Sequence, residues 1–430
     1  MPVRLADGTY EVDDTLWFGP EDGGSRTRGV DYRAAPGAQP VVSGGRTVTG
    51  WTMHDAEKNI WRAPLDIDVR QLWIDGRRAT RARSASRPGG FEPTETGYLY
   101  RADEFDFADW RNLREVEIVS FRRWRSFRIR IDAATPTADG VLLDMQNPGW
   151  ALAYENHHPW GNITLPVWVE NAYELLDAPG EWYADREEGF LYYKPRADEN
   201  VRTARTVVGR LQTLIEIEGE RDDPVRNLGL DGITFSYGTW LGPNSGNGFA
   251  VVQAGYHRTS PNGPWDKLPA NVTMMAAEDV RIESCRFERL GASAVELEVG
   301  TKRASLVGNL FQDVSANAVQ VSGIEPIHDH PDDERDIVSG NRIEHNYITD
   351  AACEYHGCVG IWIGNADTTT VHHNTLAALP YTAISVGWAG ARWIPAAPTA
   401  TAPRRPAAAA ASVQPHPPRH DPAHRRGRHL

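Results

Sequence analysis

DVRIESCRFERLGASAVELEV (Asp279–Val299) is the first of four copies of one sequence pattern. The other copies read SLVGNLFQDVSANAVQV (Ser305–Val321), RIEHNYITDAACEYHGCVGIWI (Arg342–Ile363) and TVHHNTLAALPYTAISV (Thr370–Val386). Each copy contains short alternating apolar segments on either side of a polar turn. A unit of this size cannot bury its apolar face alone, so it must stack on its neighbours. The repeat therefore predicts a parallel β-solenoid in which each copy forms one coil.

One turn position recurs in all four copies. Cys285 occupies it in the first copy, and Asn309, Asn346 and Asn374 occupy it in the others. An asparagine amide both donates and accepts hydrogen bonds, so stacked asparagines can bond to one another along the solenoid. We expect these residues to be structural and to fix the register of the coils.

The same register places two carboxylates at equivalent positions of adjacent coils. Asp313 and Asp350 each lie two residues after an inward-facing apolar residue. Neighbouring strands are about 4.8 Å apart, and a carboxylate pair about 5 Å apart suits a retaining glycosidase. Aspartate is also an ordinary turn residue. A purely structural role for both residues is therefore the alternative.

The connection that follows Asp350 is longer than the matching connection after Asp313, and its extra residues include Glu354 and His356. Glycoside cleavage needs one protonated carboxyl group and one ionised carboxylate, and neighbouring carboxylates push each other's pKa values apart. The lengthened loop is therefore a candidate acid–base loop, unless it only covers the neighbouring coil. We predict Asp313, Asp350 and Glu354 as catalytic residues.

Aromatic and polar side chains near these coils are candidates for sugar binding, because sugar C–H faces stack on rings and hydroxyl groups bond to polar atoms. Trp362 alternates with two inward-facing isoleucines and is expected to point outward. A long loop rich in Gly, Asn and Pro follows Trp240, and such loops are often functional. The predicted substrate-binding residues are His356, Trp362, Tyr381, Trp388, Trp240, Gln253 and His257. Each of them could instead be a packing residue.

The rest of the chain divides by pattern. Residues 1–50 alternate like early coils with no cap ahead of the first, and residues 201–388 carry the main solenoid. Residues 51–200 lose the period and contain short strands between Asp-Gly and Pro-Gly turns, which predicts an inserted antiparallel β-sandwich. Residues 389–430 are rich in Ala, Pro, Arg and His. They predict a disordered tail or the product of a shifted reading frame.

Composition narrows the possible functions. The chain has 430 residues, a net charge of −13, 39 Gly and 29 Pro, which favours a turn-rich, all-β protein without nucleic acid or anionic membranes as partners. No apolar run is long enough to span a bilayer, and no targeting signal is present. The acidic and histidine cluster at His328–Asp336 lacks the ligand spacings of zinc or calcium sites, so no metal or other cofactor is predicted. We expect a monomer that binds a polysaccharide or oligosaccharide.

The chain contains several distinctive sequence motifs. They are GPEDGG (Gly19–Gly24), YRAAPG (Tyr32–Gly37), PVVSGG (Pro40–Gly45), RQLWIDGRRA (Arg70–Ala79), EYHG (Glu354–Gly357) and the run from Pro380 to Trp388. They resemble bacterial right-handed parallel β-helix repeat proteins, and among enzymes glycoside hydrolase family 141, which includes α-L-fucosidases and xylanases. The resemblance implies an all-β fold, a right-handed parallel β-helix interrupted by a β-sandwich. It also implies an exported protein that degrades plant or microbial polysaccharide. Such proteins normally have a segment before the first coil and further coils after the last copy seen here.

Three functions are compatible with the sequence. A glycoside hydrolase using the predicted carboxylates is favoured. A polysaccharide lyase needs a Lys or Arg base, usually with bound Ca²⁺, and the stacked positions offer carboxylates but no stacked lysine. A truncated, non-catalytic glycan-binding solenoid is the third possibility. It would be favoured if Asp313 and Asp350 were far apart or turned away from the aromatic residues.

Overall fold

The computed structural model describes residues 2–154, 163–260, 263–387 and 412–414. Three parallel sheets run along the solenoid, and in the described residues seven coils each contribute one strand to every sheet. Sheet 1 contains Pro2–Leu5, Val30–Ala34, Leu228–Asp231, Arg281–Glu283, Ser305–Val307, Arg342–Glu344, Thr370–His372 and Ser412–Gln414. Sheet 2 contains Gly8–Glu11, Pro40–Ser43, Thr234–Ser236, Arg286–Leu290, Leu310–Val314, Tyr347–Ala351 and Thr375–Ala377. Sheet 3 contains Leu16–Phe18, Ile215–Glu218, Ala270–Met275, Ser293–Leu297, Val319–Val321, Ile361–Ile363 and Ile384–Val386. The predicted parallel β-helix is confirmed.

The solenoid core consists of the inward-facing residues of the three sheets. Phe311 pairs in register with Phe287 of the previous coil and with Ile348 of the next. The rings of Phe287 and Phe311 stack with centroids 4.9 Å apart, and Phe235 continues the stack at 5.2 Å from Phe287. Alternate residues of a strand face opposite sides of its sheet, so each coil adds to this core one layer of inward-facing residues from its three strands.

The predicted asparagine ladder forms along the solenoid. The Nδ2 atom of Asn309 donates to Oδ1 of Asn346 at 3.0 Å, and Nδ2 of Asn346 donates to Oδ1 of Asn374 at 2.9 Å. Each side chain also serves the backbone, because Oδ1 of Asn346 accepts from the N–H of Asn309 at 2.9 Å and Nδ2 donates to the carbonyl of Leu306 at 2.9 Å. Cys285 ends the ladder, where its N–H donates to Oδ1 of Asn309 at 2.8 Å.

A mainly antiparallel domain interrupts the second coil, which leaves sheet 2 after Ser43 and re-enters sheet 3 at Ile215. One of its sheets contains Gly45–Thr47, Leu72–Ile74, Arg77–Arg78 and Thr206–Gly209. A second contains Thr52–Asp55, Ile60–Pro64, Thr80–Arg81, Glu181–Asp185 and Phe190–Tyr193. A third contains Phe91–Pro93, Gly97–Tyr100, Glu117–Arg122, Arg125–Thr137, Gly140–Met145 and Trp168–Glu170. The second sheet packs against both others, since Trp182 joins the core shared with the first sheet and Tyr183 joins the core shared with the third. The layers form the inserted sandwich.

Three long connections lie at one edge of the solenoid, where the chain passes from sheet 2 to sheet 3. The inserted domain is one of them, and the others are residues 237–269 in the third coil and 352–360 in the sixth coil. In the fourth and fifth coils the same connection is only 291–292 and 315–318. The strand Phe249–Ala250 of the third-coil loop pairs antiparallel with Arg125–Thr137 of the inserted domain. This edge therefore brings the three additions together over the short connections.

The remaining elements are short. The helices of the described residues are Gly149–Tyr154 and Pro326–Asp329, with 3₁₀ turns at Pro20–Asp22, Leu113–Glu115, Tyr173–Leu175, Gly242–Asn244 and Glu334–Asp336. Two small strand pairs complete the inventory: Val225–Arg226 with Ala277–Glu278, and Tyr256–His257 with Asp266–Lys267. No helix in these residues is long and apolar enough to cross a membrane. The predicted tail 389–430 lies outside the described residues, apart from Ser412–Gln414.

The asparagine ladder supports a stability prediction. We expect Asn346→Ala to lower the free energy of unfolding by about 2–4 kcal/mol, because it leaves at least two buried backbone groups without a partner, at about 1–3 kcal/mol each. Thr375→Ala changes an exposed residue of the neighbouring coil and should cost less than about 1 kcal/mol. Urea unfolding followed by circular dichroism measures both. Equal effects would show that the ladder does not hold the coils together.

Candidate active site

The edge between sheets 2 and 3 has a repeated backbone feature. Each strand of sheet 2 from the third coil onward is followed or interrupted by a residue with positive φ. These residues are Tyr237 (61°), Arg289 (58°), Asp313 (56°), Asp350 (51°) and Ala378 (51°). The pairing of Gln312 with Thr349 and of Val314 with Ala351 places Asp313 and Asp350 at equivalent positions, as the sequence register predicted. Aspartate tolerates this left-handed conformation better than most residues.

Asp313 is held by a hairpin of the inserted domain. Asp75 and Gly76, with φ of 48° and 76°, form the tight turn between Leu72–Ile74 and Arg77–Arg78, and positive φ at both positions suits a two-residue hairpin. The register places Trp73 directly opposite Arg78. Trp73 Nε1 donates to Asp313 Oδ2 at 2.8 Å, and Arg78 Nε donates to Asp313 Oδ1 at 2.5 Å. The hairpin thus delivers two donors to one carboxylate.

Glu354 lies in the lengthened connection of the sixth coil and is also held by the inserted domain. Its Oε1 accepts from Arg70 Nε at 2.8 Å, and its Oε2 accepts from Gln71 Nε2 at 2.8 Å and from Ser315 Oγ at 3.1 Å. Arg78 Nη1 lies 3.7 Å from Oε2. Arg78 therefore contacts both Asp313 and Glu354.

A buried charge network surrounds Arg70. Its guanidinium group makes a bidentate pair with Glu117, with distances of 2.8 and 3.0 Å, and Nη1 also donates to Asn244 Oδ1 at 2.9 Å. Arg81 bridges Glu117 and Glu170 at 3.1 Å each. Arg128 pairs with Glu170, and its Nη2 donates to the backbone carbonyl of Glu354 at 2.9 Å. Residues from the inserted domain, the third-coil loop and the sixth coil meet in this network.

The network keeps Glu354 ionised. Burial on its own would raise the pKa of Glu354, but the positive charges of Arg70, Arg128 and Arg78 and the hydrogen bond from Gln71 outweigh it, so the pKa is lowered. Burial raises the pKa of the neighbouring Tyr355 hydroxyl far above its usual value, so this side chain stays neutral. Glu354 is therefore a fixed negative charge and is not set up as a proton donor.

Asp350 has a different environment, although its backbone position matches that of Asp313. Its side chain is exposed and accepts a hydrogen bond from Thr349 Oγ1 at 3.5 Å. Within the described ranges, no arginine, lysine or histidine lies within ion-pair distance of its carboxyl group. One aspartate of the stacked pair is thus held beside a guanidinium group, while the other faces solvent.

Comparisons with known proteins agree with this architecture. Residues 62–196 match the model of the GH141 insertion domain. A solved structure titled "Glycoside hydrolase" is 26% identical, with a TM-score of 0.81, and the match covers 90% of this chain and 72% of that one. The chain is a GH141-like β-helix protein. A complex of XylC with xylose aligns over 90% of this chain and 55% of that one, with 11% identity and a TM-score of 0.46. Among curated proteins, none matches the sequence.

The match to the GH141 insertion domain divides the site into two halves. The donors Arg70, Gln71, Trp73 and Arg78 fall within residues 62–196, whereas Asp313, Asp350 and Glu354 belong to the solenoid. The carboxylates of the GH141-like protein therefore come from the β-helix, and the groups that hold two of them come from the insertion.

Three of the predicted sugar-binding residues, Trp362, Trp240 and His257, are buried in this structure. Trp362 points away from the solenoid core as predicted, but its exposure is 0% because the third-coil loop covers it with Tyr256 at 5.1 Å between ring centroids. Trp240 and His257 pack with Phe249 in the same loop and are 7% and 8% exposed. These three side chains hold the loop against the solenoid in this structure.

The other predicted binding residues lie nearer the surface. Gln253 Nε2 donates to Tyr381 Oη at 3.0 Å, and the side chain of Tyr381 is exposed. The ring of His356 packs at a tilt of 39° against Phe121, with centroids 4.7 Å apart, and its Nε2 lies 3.2 Å from the carbonyl of Cys353. Trp388 lies outside the described residues. The roles of these residues in binding stay predictions.

The residues that hold the carboxylates are not among those predicted from the sequence. They are Arg70, Gln71, Trp73 and Arg78. All four lie in RQLWIDGRRA, a segment that indicated only a family resemblance. Its Asp-Gly turn was the available signal, because a tight hairpin places residues on its two strands directly opposite each other. The turn does not show that these donors contact Asp313 and Glu354.

The cluster at His328–Asp336 is more ordered than a solvated insertion. His328 is buried, with Nε2 at 3.2 Å from Glu298 and 3.4 Å from Glu325, and Asp336 pairs with Arg221. Across the described part of the chain, no group of three or more His, Cys, Asp or Glu side chains is arranged to hold a metal ion. The segment therefore serves as a structural ion-pair cluster.

The lowered pKa of Glu354 predicts a pH-dependent stability. Its ionised form stabilises the folded state above its ordinary value of 4.5, and this contribution disappears as the pH falls through the lower, folded-state pKa. We expect Glu354→Gln to destabilise the protein equally at about pH 5 and about pH 7, and by progressively less below about pH 4.

Thermal unfolding across this pH range measures the difference between the two proteins. Glu92→Gln is the control, because this glutamate pairs with Arg101 at the surface and should change stability little at any pH. A difference between wild type and Glu354→Gln that grew on acidification would contradict the assignment of an ionised, arginine-held Glu354.

Proposed function

We propose that this protein is a glycoside hydrolase that cleaves a plant or microbial polysaccharide or oligosaccharide outside the cytoplasm, using Asp313 and Asp350. The observation that carries the proposal is the stacking of two aspartates at equivalent positions of adjacent coils, only one of which pairs with a guanidinium group. The GH141 insertion-domain match and the likeness to a glycoside hydrolase support the enzyme class.

The different surroundings of the two aspartates suggest their roles. A general acid must hold a proton, and a neighbouring positive charge opposes this. Asp350 lacks such a neighbour and would protonate the glycosidic oxygen. Asp313, fixed by Trp73 and Arg78, would attack the anomeric carbon and form a glycosyl ester, which water activated by Asp350 then hydrolyses. A coil spacing of about 4.8 Å favours this retaining route over an inverting one, which needs about 6.5–9.5 Å between the carboxyl groups.

Glu354 would contribute through its neighbours. Its oxygens accept three hydrogen bonds, from Arg70, Gln71 and Ser315, and its side chain is 12% exposed against 21% for Asp313, so it is the less accessible of the two carboxylates to a substrate. It lies beside Arg78, which donates to Asp313. We infer that Glu354 positions Arg78 and balances its charge, and that Asp313 depends on this arrangement.

The central test replaces each stacked aspartate. We expect Asp313→Asn and Asp350→Asn each to lower kcat by about 10²–10⁴-fold, because each removes one of the two carboxyl functions, while the circular dichroism spectrum stays unchanged. A screen of xylan, pectic fragments and chromophoric fucosides measures the activity. Asp139→Asn, an exposed aspartate of the inserted domain, is the matched control and should keep full activity.

Two outcomes of this test would reject the proposal. One is undiminished hydrolysis by both variants. The other is a folded wild-type protein that hydrolyses none of these substrates but binds glycans, which would favour the non-catalytic solenoid.

Trp73 allows a separate test of how Asp313 is held. Its ring is fully buried and cannot contact the substrate. We expect Trp73→Phe to lower kcat about 10-fold with little change in KM, because the loss of one charge-assisted hydrogen bond costs about 1.5 kcal/mol. Trp182→Phe is the control, since this tryptophan is also buried and its Nε1 has no hydrogen-bond partner among the described residues. A rise in KM at constant kcat would mean that Trp73 shapes binding and does not orient Asp313.

A further inference from the structure

Arg130 is a buried cation that the site described above does not use. It lies directly opposite Glu117 in the pairing of Glu117–Arg122 with Arg125–Thr137, and it is 6% exposed. Glu117 is already paired with Arg70 and Arg81. In the described part of the chain, no carboxylate lies within ion-pair distance of Arg130, and its Nε has no hydrogen-bond partner. A buried guanidinium group in this state is costly for the folded protein.

Within the described ranges, Arg130 has no carboxylate partner of its own beside the network around Arg70. In the described residues, the network contains four guanidinium groups and three carboxylates. The guanidinium groups belong to Arg70, Arg81, Arg128 and Arg130, and the carboxylates to Glu117, Glu170 and Glu354. The three carboxylates pair with Arg70, Arg81 and Arg128, so Arg130 is the guanidinium group of these four that has no carboxylate partner in that part of the chain. An anion from outside the chain would complete the network.

Arg130 reaches a cavity in the inserted domain. The cavity has a volume of about 480 Å³ and is lined by Asn112, Leu113, Arg114, Glu115, Arg130, Gln146, Arg186 and Glu187. This volume lies within the range of small-molecule sites, about 300–1,000 Å³. Arg186 is occupied by Glu115 at 2.6 Å and by Asp68 at 3.2 Å, and Arg114 pairs with Asp132 at the surface. Arg130 is thus the lining guanidinium group that is available to an anion.

We propose that this cavity binds a sugar carboxylate, with the guanidinium group of Arg130 pairing with the carboxylate. The planar fork of arginine matches a carboxylate in a two-bond geometry. The Nδ2 of Asn112 and the Nε2 of Gln146 already donate within the protein, so their amide oxygens are the atoms suited to accept from sugar hydroxyl groups. The assignment to a sugar rests on the proposed glycosidase function, because a free small carboxylate shares the same anion chemistry. The lining residues are not those that bond to Asp313 or Glu354, so this would be a second site, one that recognises acidic residues of the polymer.

Isothermal titration calorimetry tests the proposal on the full chain. The probes are D-glucuronate and D-galacturonate, with D-glucose and D-galactose as their neutral counterparts and acetate as the carboxylate without a sugar. We expect saturable binding of at least one uronate, no binding of the neutral sugars, and at least a 10-fold loss of affinity in Arg130→Gln. Arg101→Gln, in the same domain and paired with Glu92 at the surface, should bind like wild type.

A second variant keeps the test independent of folding at the buried position. Arg114 lines the cavity with its side chain 73% exposed, so Arg114→Gln should fold normally. Because this change removes a positive charge from the lining, it should weaken uronate binding, but by less than Arg130→Gln does. Absence of uronate binding by wild type, or unchanged affinity in both Arg130→Gln and Arg114→Gln, would overturn the proposal. Acetate binding as tight as that of the uronates would overturn the assignment to a sugar carboxylate.

Thermal unfolding separates a ligand site from a structural role for Arg130. A guanidinium group without a partner should not stabilise the ligand-free protein, so we expect Arg130→Gln to melt at the same temperature as wild type or higher. A lowered melting temperature would indicate that Arg130 serves the fold. Binding by the Asp350→Asn protein should equal that of wild type, so failure of the hydrolase proposal would leave this result readable on its own.

Discussion

The bidentate pair between Arg70 and Glu117 is the interaction on which the site depends. Both side chains are fully buried, and Arg70 also bonds to Glu354 in the sixth coil and to Asn244 in the third-coil loop. Removing one partner of a buried ion pair costs about 3–5 kcal/mol, because the other charge stays behind without compensation. Glu117 belongs to the inserted domain, as Arg70 does, whereas Glu354 and Asn244 connect Arg70 to the other two segments. Arg70 therefore joins a buried ion pair of the inserted domain to the solenoid and to the third-coil loop.

The regular solenoid and the inserted domain contribute different residues to the site. The solenoid supplies positions that recur from coil to coil, including the left-handed corner residue that carries Asp313 and Asp350. It contributes the three predicted catalytic carboxylates, whereas the cations and the indole donor that hold two of them come from the insertion. A long connection at one edge of a solenoid costs little loop entropy, since this cost grows only slowly with length. This edge carries three such connections. They place side chains around the stacked aspartates that the coils with short connections do not supply.

The features that could be predicted from the sequence are those that repeat in it. The sheets, the asparagine ladder and the equivalence of Asp313 and Asp350 follow from residues recurring at matching positions of successive coils. The contact between Arg78 and Asp313 spans 235 positions and repeats nowhere, so no period points to it. The alternation of Trp362 with two isoleucines also predicts the side of the strand on which Trp362 lies. It does not predict that the third-coil loop covers that side. The side of the strand on which a side chain lies is set by its neighbours in the sequence, whereas its burial depends on a distant segment of the chain.

Equivalent backbone positions would by themselves make Asp313 and Asp350 chemically alike, and two alike carboxylates cannot easily serve as acid and nucleophile together. The hairpin at Asp75-Gly76 removes this equivalence, because it delivers Trp73 and Arg78 to the coil of Asp313 and leaves Asp350 in solvent. Arg289 occupies the matching position one coil earlier, so the stacked position carries a carboxylate only in the fifth and sixth of these coils. A solenoid can thus generate a functional pair from a repeated position when a non-repeating domain contacts only one member of the stack. For the proposed hydrolase, the insertion is therefore the part of the chain that gives the two stacked aspartates different roles.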